Sequence, residues 1–251
     1  NNGRYGIRVG GAASVVVGCT ARDNGAIGIF THFSAVENCS AINNGDVGIK
    51  VVGGSMINCA ATNNANDGLR AFDGGTITDS AAFNNRIGIL VADGSVVTNC
   101  SAYNNAEIGM QITLGSTVQD SASRGNLTCG IEMDGASTAQ NCTVTQNGVD
   151  GIVAADACRI AGNLVEGHVS GAAIRLTQFG NHVEGNTMVS NMEGVVVEGT
   201  ANLVIRNTCT ATPTAYDIAP GNAHGPIVDV AAIGDVGGEF KSSHPLANLK
   251  Y

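Results

Sequence analysis

Apolar residues in this chain come in short bursts of alternation, each ended by Gly, Asn or Asp. One burst follows a Gly and places Ile7/Val9, Ile29/Thr31, Ile49/Val51, Leu69/Ala71, Ile89/Val91, Met110/Ile112, Ile131/Met133, Ile152/Ala154, Ile174/Leu176 and Val195/Val197 on one side. A second carries Val16, Val36, Met56, Ile77, Val97, Val118, Ala139, Ile160, Val183 and Val204. A third turns a marker residue inward, namely Cys19, Cys39, Cys59, Ser80, Cys100, Ser121, Cys142, Asn163, Asn186 and Asn207, usually with a small residue two places on. Alternation with period two is the mark of a half-buried strand, and no stretch of ten residues shows the 3.6 period of a helix.

These bursts recur together with a period of about 21 residues, so the chain is a tandem repeat with three short strands per unit. A column of Asn runs in step: Asn2, Asn24, Asn44, Asn64, Asn85, Asn105, Asn126, Asn147 and Asn191, with His168 in the slot between the last two. Leucine-rich repeats share the period but need a Leu framework, which is missing here. The residue before each inward marker is Gly18, Asn38, Asn58, Asp79, Asn99, Asp120, Asn141, Gly162, Gly185 and Arg206. Gly, Asn and Asp are the types that tolerate φ > 0, so a sharp corner is expected at that point in every repeat. Three strands and three corners close a triangular coil. Coils stacked at strand spacing would align the markers into internal ladders, in which Asn amides bond one another.

The composition agrees. Of 251 residues, 35 are Gly, 43% are hydrophobic and only 4% aromatic, so the core must be built from small and β-branched side chains. No apolar run is long enough to span a membrane as a helix. The net charge of −9 argues against a nucleic-acid partner. The eight cysteines include no CxxC, and those on the marker column would point the same way in register, so free buried thiols are expected.

The Asn-Asn-Gly…Gly-Ile repeats resemble the right-handed parallel β-helix of the pectate-lyase-like superfamily, in particular bacterial carbohydrate-binding and sugar-hydrolase β-helix domains. The expected fold is all-β: a single-stranded right-handed parallel β-helix of about ten coils over residues 1–212. All four prolines (Pro213, Pro220, Pro226 and Pro245) lie beyond it. Residues 213–251 are therefore expected to form a C-terminal cap, with Pro226 to Val230 as a last strand. Nothing cap-like opens the repeat, so a preceding native segment or another chain, including a second copy, is expected to cover that end. The resemblance implies a secreted or cell-surface protein, and it is more specific for fold than for function.

Candidate chemistry collects on the outward side of the first strand in the early coils. Arg8, Phe30, His32, Lys50, Arg70 and Phe72 fall there, an accumulation of cations and rings in an otherwise acidic chain. Cations pair with uronate carboxylates and rings stack on pyranose faces, so an acidic polysaccharide lying along the axis is the expected partner. If the protein is an enzyme, lyase chemistry assigns Lys50, Arg70 and His32 as catalytic, with Arg8, Phe30 and Phe72 binding substrate. Removing a proton α to a carboxylate needs a base and a positive charge. No metal site is read. Asp46, Asp67 and Asp73 adjoin the face without forming a clear Ca²⁺-binding cluster, and no cofactor is expected. The acidic pair Glu132/Asp134 reads as a hydrated rim rather than a hydrolase dyad. Successive residues Ile42, Thr62, Phe83 and Tyr103 give the third face an apolar strip suited to subunit packing. The alternative is a structural or adhesive solenoid with no small-molecule site.

Overall fold

The computed structural model describes residues 2–11, 13–230 and 244–251. The first coil comprises β1 (Ile7–Val9), β2 (Val15–Val17) and β3 (Thr20–Arg22), and each later coil repeats this triplet. The strands assemble into three parallel sheets, of eleven, eleven and twelve strands among the described residues. Every strand pairs with its equivalents above and below in unbroken register: Ile7 opposite Ile29, Ile29 opposite Ile49, and Leu69 opposite both Ile49 and Ile89. The molecule is thus a parallel β-solenoid, and the strand pairing continues to about an eleventh turn.

Each coil bends at three corners, and a left-handed residue marks each one. The ten positions before the inward marker all have positive φ, from 50° at Asp120 to 66° at Gly162. Even Arg206 adopts φ 58° there. A second set follows the third strand (Asp23, Asn43, Asn63, Asn84, Asn104), and a third follows the first strand (Ala13, Phe33, Gly53).

One continuous core fills the interior, built from the alternating residues of all three sheets. Amide ladders line its corners. Asn24 Nδ2 donates to Asn44 Oδ1 at 2.9 Å, Asn44 to Asn64 at 2.9 Å and Asn105 to Asn126 at 2.8 Å. Each Oδ1 also accepts the backbone N–H of the Asn one coil earlier, as at Asn44 N to Asn64 Oδ1, 3.0 Å. Buried polar groups left unpaired cost about 1–3 kcal/mol each, so the ladder converts a liability into an aligned set of bonds. His168 fits the column as a neutral imidazole. Asn147 Nδ2 lies 3.2 Å from its Nε2, an acceptor there because the amide can only donate, and its Nδ1 donates to Asn191 Oδ1 at 2.9 Å.

The marker column forms a second ladder that begins with thiols and ends with amides. The eight cysteines are all free. Cys39 Sγ donates to Glu37 O at 3.2 Å, and burial pushes the Cys100 and Cys142 thiols up to about 11. From Asn163 the column is amide: Asn163 to Asn186 and Asn186 to Asn207, both 2.9 Å. A third ladder, not anticipated from the repeat, runs from Asn181 through Asn202 to Asn222 at the remaining corner.

Beyond residue 212 the pattern changes hands. Thr214–Ile218 continues the first sheet and Ala223–His224 the second. In the third sheet the strand beside Thr208–Thr210 is Asn248–Lys250, brought back from the C-terminus, and Ile227–Asp229 pairs outside it. Asn248 takes the next ladder position, accepting from Asn207 Nδ2 at 3.2 Å. The Tyr216 hydroxyl lies 2.8 Å from Asn207 O and 3.1 Å from Leu249 O, tying this last turn to the core. Residues 231–243 of the expected cap lie outside the described residues.

Candidate functional site

The unsheared register turns sequence columns into columns on the surface. Along the outward side of the first sheet, Arg8 stands beside Phe30, Phe30 beside Lys50 and Lys50 beside Arg70. In the adjacent column His32 precedes Val52 and Val52 precedes Phe72. The six residues singled out above therefore share one face. Val52, between His32 and Phe72 in that column, is buried.

The face is denser than its sequence suggests. Tyr5 stacks on Phe30 with centroids 6.0 Å apart and planes at 26°. Arg4 lies over Tyr5 at 5.5 Å, and Arg8 reaches both Tyr5 (5.2 Å) and Phe30 (5.8 Å). Lys50 Nζ sits between two rings, 5.7 Å from the centroid of Phe30 and 5.4 Å from that of Phe72. Such contacts hold an ammonium without neutralising it. Burial and the positive charge of Arg70 push the Lys50 pKa down, opposed by Asp46 and Asp67. Among the described residues Lys50 makes no ion pair. The His32 imidazole stands edge-on to Phe30 at 5.6 Å and to Phe33 at 5.4 Å.

Arg70 is differently placed. Its Nε donates to Asp67 Oδ2 at 2.6 Å, and its second nitrogen contacts the same oxygen. Asp67 is fully buried and also faces Arg86, 3.5 Å from its other oxygen. Burial pushes the Asp67 pKa up, and Arg70 pulls against that rise. Asp67 occupies a column that reads Val47, Asp67, Ile87 and Ile108, all buried. A carboxylate in that setting needs a cation, and Arg70 supplies it. A buried Asp paired with an Arg recurs at Asp150, whose partner Arg175, at 3.2 Å, comes from the following turn. The signal legible in the sequence was a lone Asp in a column of Val and Ile. Tyr5, Arg4 and Phe33 were missed because they precede the first complete strand or sit on a corner.

Further along, the next cation in this column is Arg175, which is paired with Asp150, Glu193 and Glu198. Leu90 follows Arg70 in register, then Gln111 and Glu132, with Gln111 Nε2 donating to Glu132 Oε1 at 3.0 Å. Asp134 accepts Gly135 N–H at 2.7 Å as a corner residue. Glu132 and Asp134 are each bonded locally. On the third face Phe83 and Tyr103 stack at 4.9 Å and 9°. Among the described residues no group of three or more His, Cys, Asp or Glu could hold a metal ion, and no helix is long and apolar enough to cross a membrane.

A family model described as "Right handed beta helix region" matches residues 54–188, more than half of the chain. The chain belongs to the right-handed β-helix family. No curated protein matches the sequence of this β-helix. Among solved structures it is similar to the A-module of the Azotobacter vinelandii mannuronan C-5 epimerase AlgE6, with TM-score 0.66 and 16% identity over 84% of this chain and 77% of that one. The AlgE4 A-module of the same organism gives 0.63 and 15%, covering 89% and 79%. The periplasmic alginate epimerase AlgG gives 0.55 and 11%, covering 86% and 74%. At these identities the likeness is one of fold.

What the face of this β-helix can do follows from its chemistry. It offers an exposed guanidinium at Arg8 and a partly buried ammonium at Lys50, neither held by a carboxylate of the protein among the described residues, with an imidazole alongside. Those groups suit a ligand that brings its own negative charges.

Proposed function

We propose that this β-helix binds an acidic polysaccharide, outside the cell or at its surface, through the first-sheet face of its first four turns. The observation that carries the reading is Lys50. In a chain of net charge −9, its ammonium is held between Phe30 and Phe72 rather than by an acid. A uronate carboxylate is a fitting counter-charge, with Arg8 serving a second carboxylate two turns away. Phe30 and Phe72 then act chiefly as walls that hold the cation. Arg70 holds Asp67 and contributes its field to Lys50. The shared fold with mannuronan and alginate epimerases supports a polyuronate as the class of polymer.

The same groups are suited to proton removal. A lysine whose pKa is pushed down yields its neutral amine more readily, and a neutral amine can take the proton α to a uronate carboxylate. In a lyase reaction that electron pair forms the new C=C bond while the β C–O bond breaks. His32 is the candidate to protonate the leaving oxygen.

The test is isothermal titration with polymannuronate, polygalacturonate and a neutral glucan, alongside absorbance of unsaturated product. Binding to a polyuronate should weaken with added salt. In Lys50→Ala it should fall at least about tenfold, the equivalent of about 1.4 kcal/mol. Wild-type protein that ignores every acidic polysaccharide, at low salt as well as high, would leave the structural-solenoid reading in its place.

A further inference from the structure

Phe33 is the one aromatic residue with left-handed backbone among the described residues. It lies on the corner after the first strand of the second coil, with φ 47°. Left-handed backbone is unfavourable for L-residues other than Gly, Asn and Asp, and the neighbouring coils place Ala13 and Gly53 at this corner. The residue is also 57% exposed, so burial returns little of that cost. The next coil accommodates it: a Cβ on Gly53 would come within 2.5 Å of the Phe33 ring. The left-handed conformation belongs to the corner, but a large exposed ring placed on it is not required by the corner, and points towards a use.

The other rings of the face are already occupied. Phe30 has Tyr5 and Arg8 on the side of the first coil and Lys50 on the side of the third. Phe72 faces Lys50, and His32 is wedged edge-on between Phe30 and Phe33. Phe30 and Phe72 therefore already have a ring or a cation against them. Phe33 ends the file Phe30–His32–Phe33, whose steps of 5.6 and 5.4 Å run along the strand towards the corner.

We propose that Phe33 is the ring on which a sugar of the bound polymer rests, placing that sugar beside His32 at the corner edge of the face. This rests on the polysaccharide reading above. It shifts the stacking surface from Phe30 and Phe72 to a residue outside the strand. One sugar packs against Phe33 while the carboxylate of its neighbour reaches Lys50. The arrangement selects a ligand with an apolar pyranose face next to a carboxylate, and disfavours a small anion.

The experiment compares wild type with Phe33→Gly, Phe33→Trp and Lys50→Ala by calorimetric titration with polymannuronate and polygalacturonate, and by thermal melting. Phe33→Gly should melt no lower than wild type, because Gly accepts the left-handed corner, yet bind at least about fivefold more weakly. Phe33→Trp should retain binding within about threefold, since it restores a ring. The inference is overturned if Phe33→Gly binds as wild type does, or if it melts markedly lower, which would make the ring a structural element. If Lys50→Ala abolishes binding and Phe33→Gly leaves it intact, only the role of Phe33 fails. If wild type binds neither polymer, this inference and the polysaccharide reading fail together.

Discussion

Replacing Arg70 by Ala tests the division of labour on the face, because it separates a cation that serves the fold from one that serves a ligand. The variant leaves the fully buried Asp67 without its nearest partner, in a column whose neighbours are Val47 and Ile87. Breaking a buried pair by removing one member costs about 3–5 kcal/mol. Arg86 stays 3.5 Å from the other Asp67 oxygen, which puts the expected loss at the lower end, about 3 kcal/mol. For a chain of this size that is a fall of roughly 6–12 °C in melting temperature. The pH dependence carries a definite sign. The Asp67 pKa is already raised by burial, and loss of Arg70 removes a force that lowers it. A carboxyl whose folded pKa lies above its unfolded value stabilises most when protonated, and that stability is lost as pH rises through the folded pKa. The gap between Arg70→Ala and wild type should therefore be widest near neutrality and close as pH falls towards 4. Melting followed by circular dichroism at several pH values reads both quantities. The double change Asp67→Ile with Arg70→Leu copies the next turn, where Ile87 and Leu90 pack together, and should recover most of the loss. A single variant that melts with wild type at neutral pH, or a deficit that ignores pH, would refute this account of the pair.

Two further outcomes follow from the corners and the ladder. Asn58, at φ 51°, should tolerate Gly with little change, whereas Asn58→Val should lower stability by about 1–3 kcal/mol in denaturant titrations; equal shifts would undo the corner assignment. His168 is fully buried and its pKa is pushed down by desolvation, so the stability it contributes is present above its unfolded pKa and lost as pH falls below about 6.5. His168→Asn, which restores the column, should remove that acid-side loss, and melting profiles between pH 8 and 5 that coincide for the two proteins would contradict it.

The fold was legible because one local solution is written many times. A single Gly-Ile or Asn-Cys says little, but their recurrence in step fixes strand, corner and register together. Where the chain stops repeating itself, legibility stops too. The third side of the last turn comes from Asn248–Lys250, and Asn248 lies 41 residues from the ladder partner Asn207, so no local period could announce it. The ladder of Asn181, Asn202 and Asn222 appears only in the last turns, whereas earlier coils hold Ser or Gly and then Cys158 at that corner. The face itself was half legible. Alternation identified Arg8, Phe30, Lys50 and Arg70 as outward neighbours, and the register agrees. Alternation is silent about pairs that cross from one column to another. The Asp67–Arg70 bond joins a residue at the strand start to one three places on, and it decides which cation is left to meet a ligand.

The amide ladders also have a direction. In all three, each Nδ2 donates towards the following turn and each Oδ1 accepts from the preceding one. The side-chain dipoles of the three rows therefore point the same way, one row starting in the first turns and the other two at Asn163 and Asn181. Where two of the rows stop, the molecule's own backbone takes up the last hydrogens: Asn222 Nδ2 donates to Gly199 O and Ala219 O, and Asn248 Nδ2 to Val204 O and Gly225 O. The polarity that accumulates along these two rows is thus absorbed within the last turns rather than presented at their end.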